Sequence, residues 1–133
     1  MITQFQRPAN TSEPENMLEE LQSLFPTAGI VLTLGKDGSI ATMPSNRDDD
    51  GEVYGGVVRQ EIYPTEVVDT TAAGDTFTGF FLQSIIAGQD LDLALKIATA
   101  ASSIAVSRRG AAPSIPLRAE VQQKLAELGV ISE

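Results

Sequence analysis

From Gly29 onward the hydrophobic period of this chain changes once, at Asp69, and that change limits the folds open to it. Before Asp69 the apolar, β-branched residues come in short runs: GIVLTLG (Gly29–Gly35), SIATMP (Ser39–Pro44) and VYGGVVRQEIYPTEVVD (Val53–Asp69), the last broken by Gly55-Gly56 and by Pro64. Short runs bounded by Gly and Pro predict strands, and the first, apolar throughout, predicts a buried and parallel one. KDG (Lys36–Gly38) reads as a tight turn between the first two, and Ser45–Glu52 as a charged, exposed loop.

After Asp69 the pattern is helical. One helix is expected over Thr76–Ala87, ended by Gly88. A second is capped by Asp90 and carries Leu91, Ala94, Leu95, Ala98, Ala101 and Ala105 along one stripe. Arg108 and Arg109 are expected in its last turn with Gly110 just beyond. APSIP reads as a turn, and Leu117–Leu128 as a final amphipathic helix. Upstream, Ser12 is a plausible cap for a short helix with Met17, Leu18, Leu21, Leu24 and Phe25 on its apolar face, stopped by Pro26. Residues 1–14 are polar, without a period, and read as an irregular lead-in to a single part spanning 15–133. Helix, strands, then three helices is an α/β or α+β order, and the incomplete βαβ alternation points to a piece of a larger sheet.

The 133 residues suffice for one domain with a modest core. There are no cysteines and no histidines, which removes disulfides, thiolates and the commonest general base and metal ligand. Proton chemistry must fall to Asp, Glu, Lys or Tyr. A net charge of −9 argues against nucleic acid or acidic membrane as partner. It leaves room for a small anion held by backbone amides. No run approaches a membrane span and no secretory leader follows Met1, so a cytoplasmic location is the default expectation.

The boundary itself, VVDTTAAGDTF (Val67–Phe77), has two physical readings. A strand is expected to end near Asp69 and a helix to begin near Gly74. The first amides of a helix lack intrahelical partners and carry the positive end of its dipole. Ala72, Ala73 and Gly74 would let an anion approach those amides closely, with Asp75 beside it. Phosphoryl transfer needs both parts, fixed donors for the moving phosphoryl and a carboxylate for the attacking hydroxyl's proton. The other reading is a stable helix start, with Asp75 favoured by the dipole and the small residues by packing.

VVDTTAAGDTFTGFF resembles the second signature of the ribokinase-like (pfkB) family of carbohydrate kinases, whose core is D-T-x-[GA]-[AG]-G-D. VLTLGKDGS resembles that family's upstream strand and phosphate-binding turn, and ATAASSIAVSRRGAAPSIP the helix and turn that follow. The resemblance covers roughly Glu15 to Leu128. It implies a Rossmann-like three-layer α/β fold, C-terminal portion only, with the lid and N-terminal half outside the chain.

It also implies roles. Asp75 matches the catalytic base, and the amides of Ala73, Gly74 and Asp75 match the anion hole. Thr33, Gly35, Gly38, Gly74 and Thr99 match the ATP-binding positions, although relatives often carry Asn or His where Thr99 stands. Asp69, Thr71, Ala105, Arg108, Gly110 and Ser114 match a monovalent cation site built largely from backbone oxygens. The cofactors implied are ATP, Mg²⁺ and K⁺, and the substrate a small, ribose-like sugar.

Each position keeps a plainer reading. Gly35 and Gly38 are also what a hairpin turn requires, Arg108 and Gly110 what a helix end requires, and Thr99 suits a packed helix face. A Walker A loop does not compete, because Gly29 and Gly35 are one residue too far apart and Asp37 follows Lys36. NTSE (Asn10–Glu13) has the letters of the family's Mg²⁺-linked motif but lies too near the following strand. Without most sugar-binding residues the chain alone is expected to be inactive. The alternative is a non-catalytic nucleotide- or anion-binding module with a regulatory or assembly role, and a homo-oligomer is possible.

Overall fold

The computed structural model describes residues 2–4, 14–43, 46–47, 53–54 and 57–132. The chain divides into two compact units, Met1–Gln60 and Glu61–Glu133. No helix among the described residues is long and apolar enough to cross a membrane.

The first unit is a mixed sheet with one helix against it. Strand β1 (Ile2–Gln4) is followed by helix α1 (Pro14–Leu24), then β2 (Gly29–Thr33) and β3 (Ser39–Thr42). A short pair, β4 (Asn46–Arg47) and β5 (Val53–Tyr54), forms its own antiparallel ladder, and β6 (Val58–Gln60) returns to the main sheet. The order is β1-β2-β3-β6, with β1 parallel to β2 and the other two pairings antiparallel. The parallel expectation for β2 therefore holds on one side of it and fails on the other, because the turn after it is short enough to fold β3 straight back.

One expectation about the lead-in is corrected. The lead-in holds a strand, since Ile2 to Gln4 pair with Gly29 to Val31 through the backbone, a contact that needs no side-chain period. Helix α1 starts at Pro14, whose fixed φ and missing N–H suit the first helical position. The expected Ser12 cap lies outside the described residues, as do NTSE and most of the Ser45–Glu52 loop.

The helix buries Leu18 against the sheet with Ala28, Ile30, Leu32 and Ile40, and Met17, Leu21, Phe25 and Leu34 close the edge. Leu32 and Ile40 face each other across β2 and β3. Val31 and Ala41, on the alternate positions, are buried too, so these strands are covered on both faces, as a continuous apolar run demands. Gln22 secures the helix-to-strand connection, its Nε2 donating to the carbonyls of Phe25 and Ala28 at 3.1 Å each.

The second unit is helical: α2 (Ala73–Ile86), α3 (Leu91–Val106) and α4 (Arg118–Glu127), with a 3₁₀ turn at Ala112–Ser114. Ala94, Ala98, Ala101 and Ala105 are buried along α3, and these small side chains let α2 come close. Phe77 and Phe81 of α2 stack at 6.2 Å. Ala100 and Ala101 also cluster with Val121 and Leu125 of α4. Asp90 caps α3 as expected, accepting the N–H of Leu93 at 2.8 Å.

The strand expected to run into Asp69 does not form. Glu61–Asp69 belongs to no ladder, Pro64 offers no N–H, and the amides of Val68 and Asp69 both donate to the carbonyl of Val106, at 2.7 and 3.0 Å. Helix α2 begins at Ala73, three residues before the expected start. Helix α3 ends at Val106, so Arg108 and Arg109 lie beyond its last turn. Ser107 and Arg108 donate back to Ile104 and Ala105 and tighten the end, and Gly110 follows at φ +88°.

Two glycines give opposite predictions. Gly38 has φ +87° and ψ −136°, a conformation other residues reach only with strain, so Gly38→Ala is expected to destabilise by about 1–3 kcal/mol. Gly79 lies inside α2, with open space where a Cβ would go, so Gly79→Ala is expected to stabilise by roughly 0.5–1 kcal/mol. Urea titration followed by circular dichroism reads both signs.

Candidate functional site

The turn between β2 and β3 carries the expected positions Thr33, Gly35 and Gly38. Leu34 N–H donates to Gly38 at 2.7 Å, Asp37 N–H to Leu34 and Gly38 N–H to Gly35 at 3.1 Å each. Gly35, at φ +59°, and Gly38 give the turn its shape. The amides of Gly35 and Lys36 donate to no backbone carbonyl among the described residues, and no atom stands within 4 Å of where a Gly35 Cβ would be. The turn is thus both the hairpin its glycines suggest and an exposed backbone surface with donors to offer. Thr33 ends β2 half-buried, and the Ser39 hydroxyl behind the turn is buried without a partner among the described residues.

In the second unit the start of α2 differs from the starts of α3 and α4. Helix α3 has its Asp90 carboxylate on the Leu93 amide, and at α4 the Glu120 carboxylate accepts Leu117 N–H at 3.0 Å. Helix α2 is preceded by Ala72, which has no side chain to cap with. The expected trio of amides is reduced: Ala73 N–H is occupied by the Thr70 carbonyl at 3.2 Å. The amides of Gly74 and Asp75 have no hydrogen-bond partner among the described residues. Gly74 is exposed, with nothing within 4 Å of a Cβ position, so the approach to those two amides is open. The Asp75 side chain is exposed in the first turn beside them. This is a helix N-terminus with two amides free at the positive end of its dipole and a carboxylate at its edge.

The expected cation-site residues are brought together in part. One Asp69 carboxylate oxygen accepts from the Thr71 hydroxyl and, at 2.9 Å, from the Thr71 amide. The other accepts Gly110 N–H at 3.0 Å. The Thr71 hydroxyl, the Gly110 amide and the Thr71 amide, with the charge of Arg109, lower the Asp69 pKa from 3.8 to about 2. Ala105 is buried at the end of α3, its carbonyl taken by the closing bond from Arg108 N–H at 3.2 Å. The Arg108 guanidinium leaves the cluster and pairs with Glu120 of α4, and that hydrogen bond, followed by the Leu117 amide, holds the Glu120 carboxyl below its usual range. Ser114 is fully buried, with its hydroxyl on the Ala111 carbonyl at 2.6 Å. Among the described residues no group of three acidic side chains could hold a metal ion, so a cation here would rely on carbonyl and hydroxyl oxygens.

Thr99 is buried, and its hydroxyl donates to Leu95 of its own helix at 2.6 Å, which matches the packing reading. Two features carried no signal in the sequence. The Val106 carbonyl that gathers the Val68 and Asp69 amides is a backbone group. The Thr76 hydroxyl, next to Asp75, is buried without a partner among the described residues, and only its place after the Gly-Asp pair could have marked it.

Comparison with known proteins brings these elements under one heading. The sequence pattern of the pfkB family carbohydrate kinases matches residues 4–118. The chain is 33% identical to 5-dehydro-2-deoxygluconokinase of Bacillus licheniformis over 110 residues, 81% of this chain and 31% of the relative. It is 33% identical to the ribokinase of Bacillus subtilis over 125 residues, 94% of this chain and 39% of the relative. Among solved structures, Arabidopsis thaliana ribokinase complexed with ribose and ATP superposes with a TM-score of 0.71 at 32% identity, covering 86% of this chain and 35% of that one. The fold is accordingly a partial ribokinase-like fold, and the chain spans roughly a third of the length of these relatives.

The lowered pKa of Asp69 gives a prediction with a defined sign. A carboxylate with a depressed folded-state pKa contributes stability above its unfolded value, near 4, and loses it as pH falls through the folded value, near 2. Wild type should therefore lose stability between about pH 4 and 2 more steeply than Asp69→Asn, as thermal melts across that window will show. Equal slopes would mean that the carboxylate clamp does not operate in solution.

Proposed function

Because this chain belongs to the pfkB family of carbohydrate kinases, we propose that it is the nucleotide-binding, base-bearing part of an enzyme that moves the γ-phosphoryl of ATP to a sugar hydroxyl. The observation that carries the reading is the uncapped start of α2, where the free Gly74 and Asp75 amides face open space next to a carboxylate. Charge on the transferring phosphoryl is met by fixed donors that need not reorganise. Asp75 orients the acceptor hydroxyl and takes its proton as the bond to phosphorus forms. The Gly35 and Gly38 turn, with Thr33 behind it, offers amides to ATP phosphates, and Thr99 serves the nucleotide by packing rather than through its hydroxyl.

Mg²⁺ would enter with the nucleotide and supply charge neutralisation. In this reading Asp69, Thr71, Ala105, Arg108, Gly110 and Ser114 surround a K⁺-type cation through oxygens. The hydrogen-bonded group of Asp69, Thr71 and Gly110 supports that assignment, and it fixes the loop that leads into α2. The substrate class is a small ribose-like sugar, in line with the ribokinases among the relatives, and a cytoplasmic location goes with it.

Calorimetric titration with ATP, Mg²⁺ and K⁺ tests the proposal. Wild type is expected to bind. Gly74→Asp, which the open space at Gly74 allows to fold normally, is expected to bind at least about tenfold more weakly, since its carboxylate opposes the phosphate. Equal binding by the two would remove the anion hole from the account. Alone with ribose and ATP the chain should show no robust turnover. Within a family-length enzyme Asp75→Asn should lower turnover by roughly 10²–10⁴ while nucleotide binding persists.

A further inference from the structure

Between the second half of α2, the first half of α3 and one side of α4 lies an open cavity of about 130 Å³. On α2 it is lined from Phe80 to Ala87, whereas Gly74 and Asp75 stand in the first turn of that helix. The cavity thus lies toward the other end of α2, and none of the residues matched to base, nucleotide or cation lines it. Its walls are apolar: Phe80, Leu93, Ile97, Val121 and Leu125 are all buried or half-buried. Ser84, the buried polar residue beside them, already donates its hydroxyl to the Phe80 carbonyl at 2.8 Å. An ordered water needs several polar partners, so walls of this kind suit an apolar guest better. Size limits that guest, since a cavity of roughly 150 Å³ takes a benzene ring. The polar groups come from the exposed side chains of Gln83, Gln122 and Arg118. Apolar walls with a few placed polar groups are the usual make-up of a small-molecule site.

Charge decides the head of the guest. The chain has 18 acidic residues against 9 basic ones, yet no Asp or Glu lines the cavity and Arg118 does. Arg59, Lys96 and Arg108 are each paired with a carboxylate, whereas Arg118 has no ion-pair partner among the described residues. A guanidinium meets a single carboxylate through two parallel hydrogen bonds. A phosphate ester would leave a second negative charge facing an acidic chain. We propose that the cavity binds a small monocarboxylate with a ring or branched chain of about six carbons, its apolar part among Leu93, Ile97, Val121 and Leu125 and its carboxylate on Arg118. Gln83 and Gln122 offer amide N–H donors beside it. The site is independent of the kinase reading, because it shares no residue with the open start of α2.

The test is calorimetric titration of the chain with sodium benzoate and with benzyl alcohol, an uncharged guest with the same ring. Benzoate is expected to bind with a Kd of about 1 mM or below, and benzyl alcohol about tenfold more weakly. Arg118→Gln, at an exposed position, is expected to keep the thermal melt, to weaken benzoate about tenfold and to leave benzyl alcohol unchanged. Methyl NMR of the wild type locates the guest: the Leu93 and Leu125 signals should shift on addition of benzoate, and that of Leu34 in the first unit should not. No benzoate binding at ~10 mM overturns the proposal. So do Leu93 and Leu125 methyls that stay unmoved, or benzoate binding that Arg118→Gln leaves at the wild-type level.

Discussion

The Asp69 carboxylate is the interaction on which the second unit turns. It sits where the extended segment ends, and it accepts from three donors, two on Thr71 just ahead of α2 and one on Gly110 just after α3. The Val68 and Asp69 amides complete the junction by sharing the Val106 carbonyl, the last residue of α3. One residue thus ties the entry of one helix to the exit of another, 41 positions away. Removing its charge would release the Gly110 and Thr71 amides together, which is why the clamp works as a unit rather than as three separate bonds.

What the junction holds in place is a deliberately incomplete helix start. The starts of α3 and α4 each carry one side-chain hydrogen bond, from the Leu93 amide to Asp90 and from the Leu117 amide to Glu120. Ala72 leaves α2 without a side-chain cap, and burial of Phe77 and Phe81 anchors the helix behind its first turn. The Ser102 hydroxyl adds a tie from α3 to the Ala73 carbonyl at 3.4 Å. The free Gly74 and Asp75 amides therefore stand on a packed helix rather than on a loop.

The first unit follows the same economy of parts. Two glycines with positive φ let β2 reverse into β3 within a few residues, and the turn keeps two of its amides off the backbone ladder. The sheet beneath is held by α1 through Leu18 and by cross-strand pairs such as Leu32 with Ile40, so the exposed turn is carried on buried strands.

Residue types and their periods determined much of this by themselves. The apolar runs marked β2 and β3, the 3.6-residue stripes marked α1, α3 and α4, and Asp90 marked its own cap, because each signal is local and reads on one element. The AAGD stretch marked a helix start with small side chains and an acid in its first turn for the same reason, since these act within a single turn. What only the tertiary structure decided was set by distant backbone. The β1 pairing, the loss of the strand before Asp69 to the Val106 carbonyl, the withdrawal of the Ala73 amide to Thr70 and the turning of Arg108 toward Glu120 all depend on groups every residue carries or on partners far along the chain. A sequence specifies those contacts only through the fold as a whole, since a carbonyl has no letter of its own.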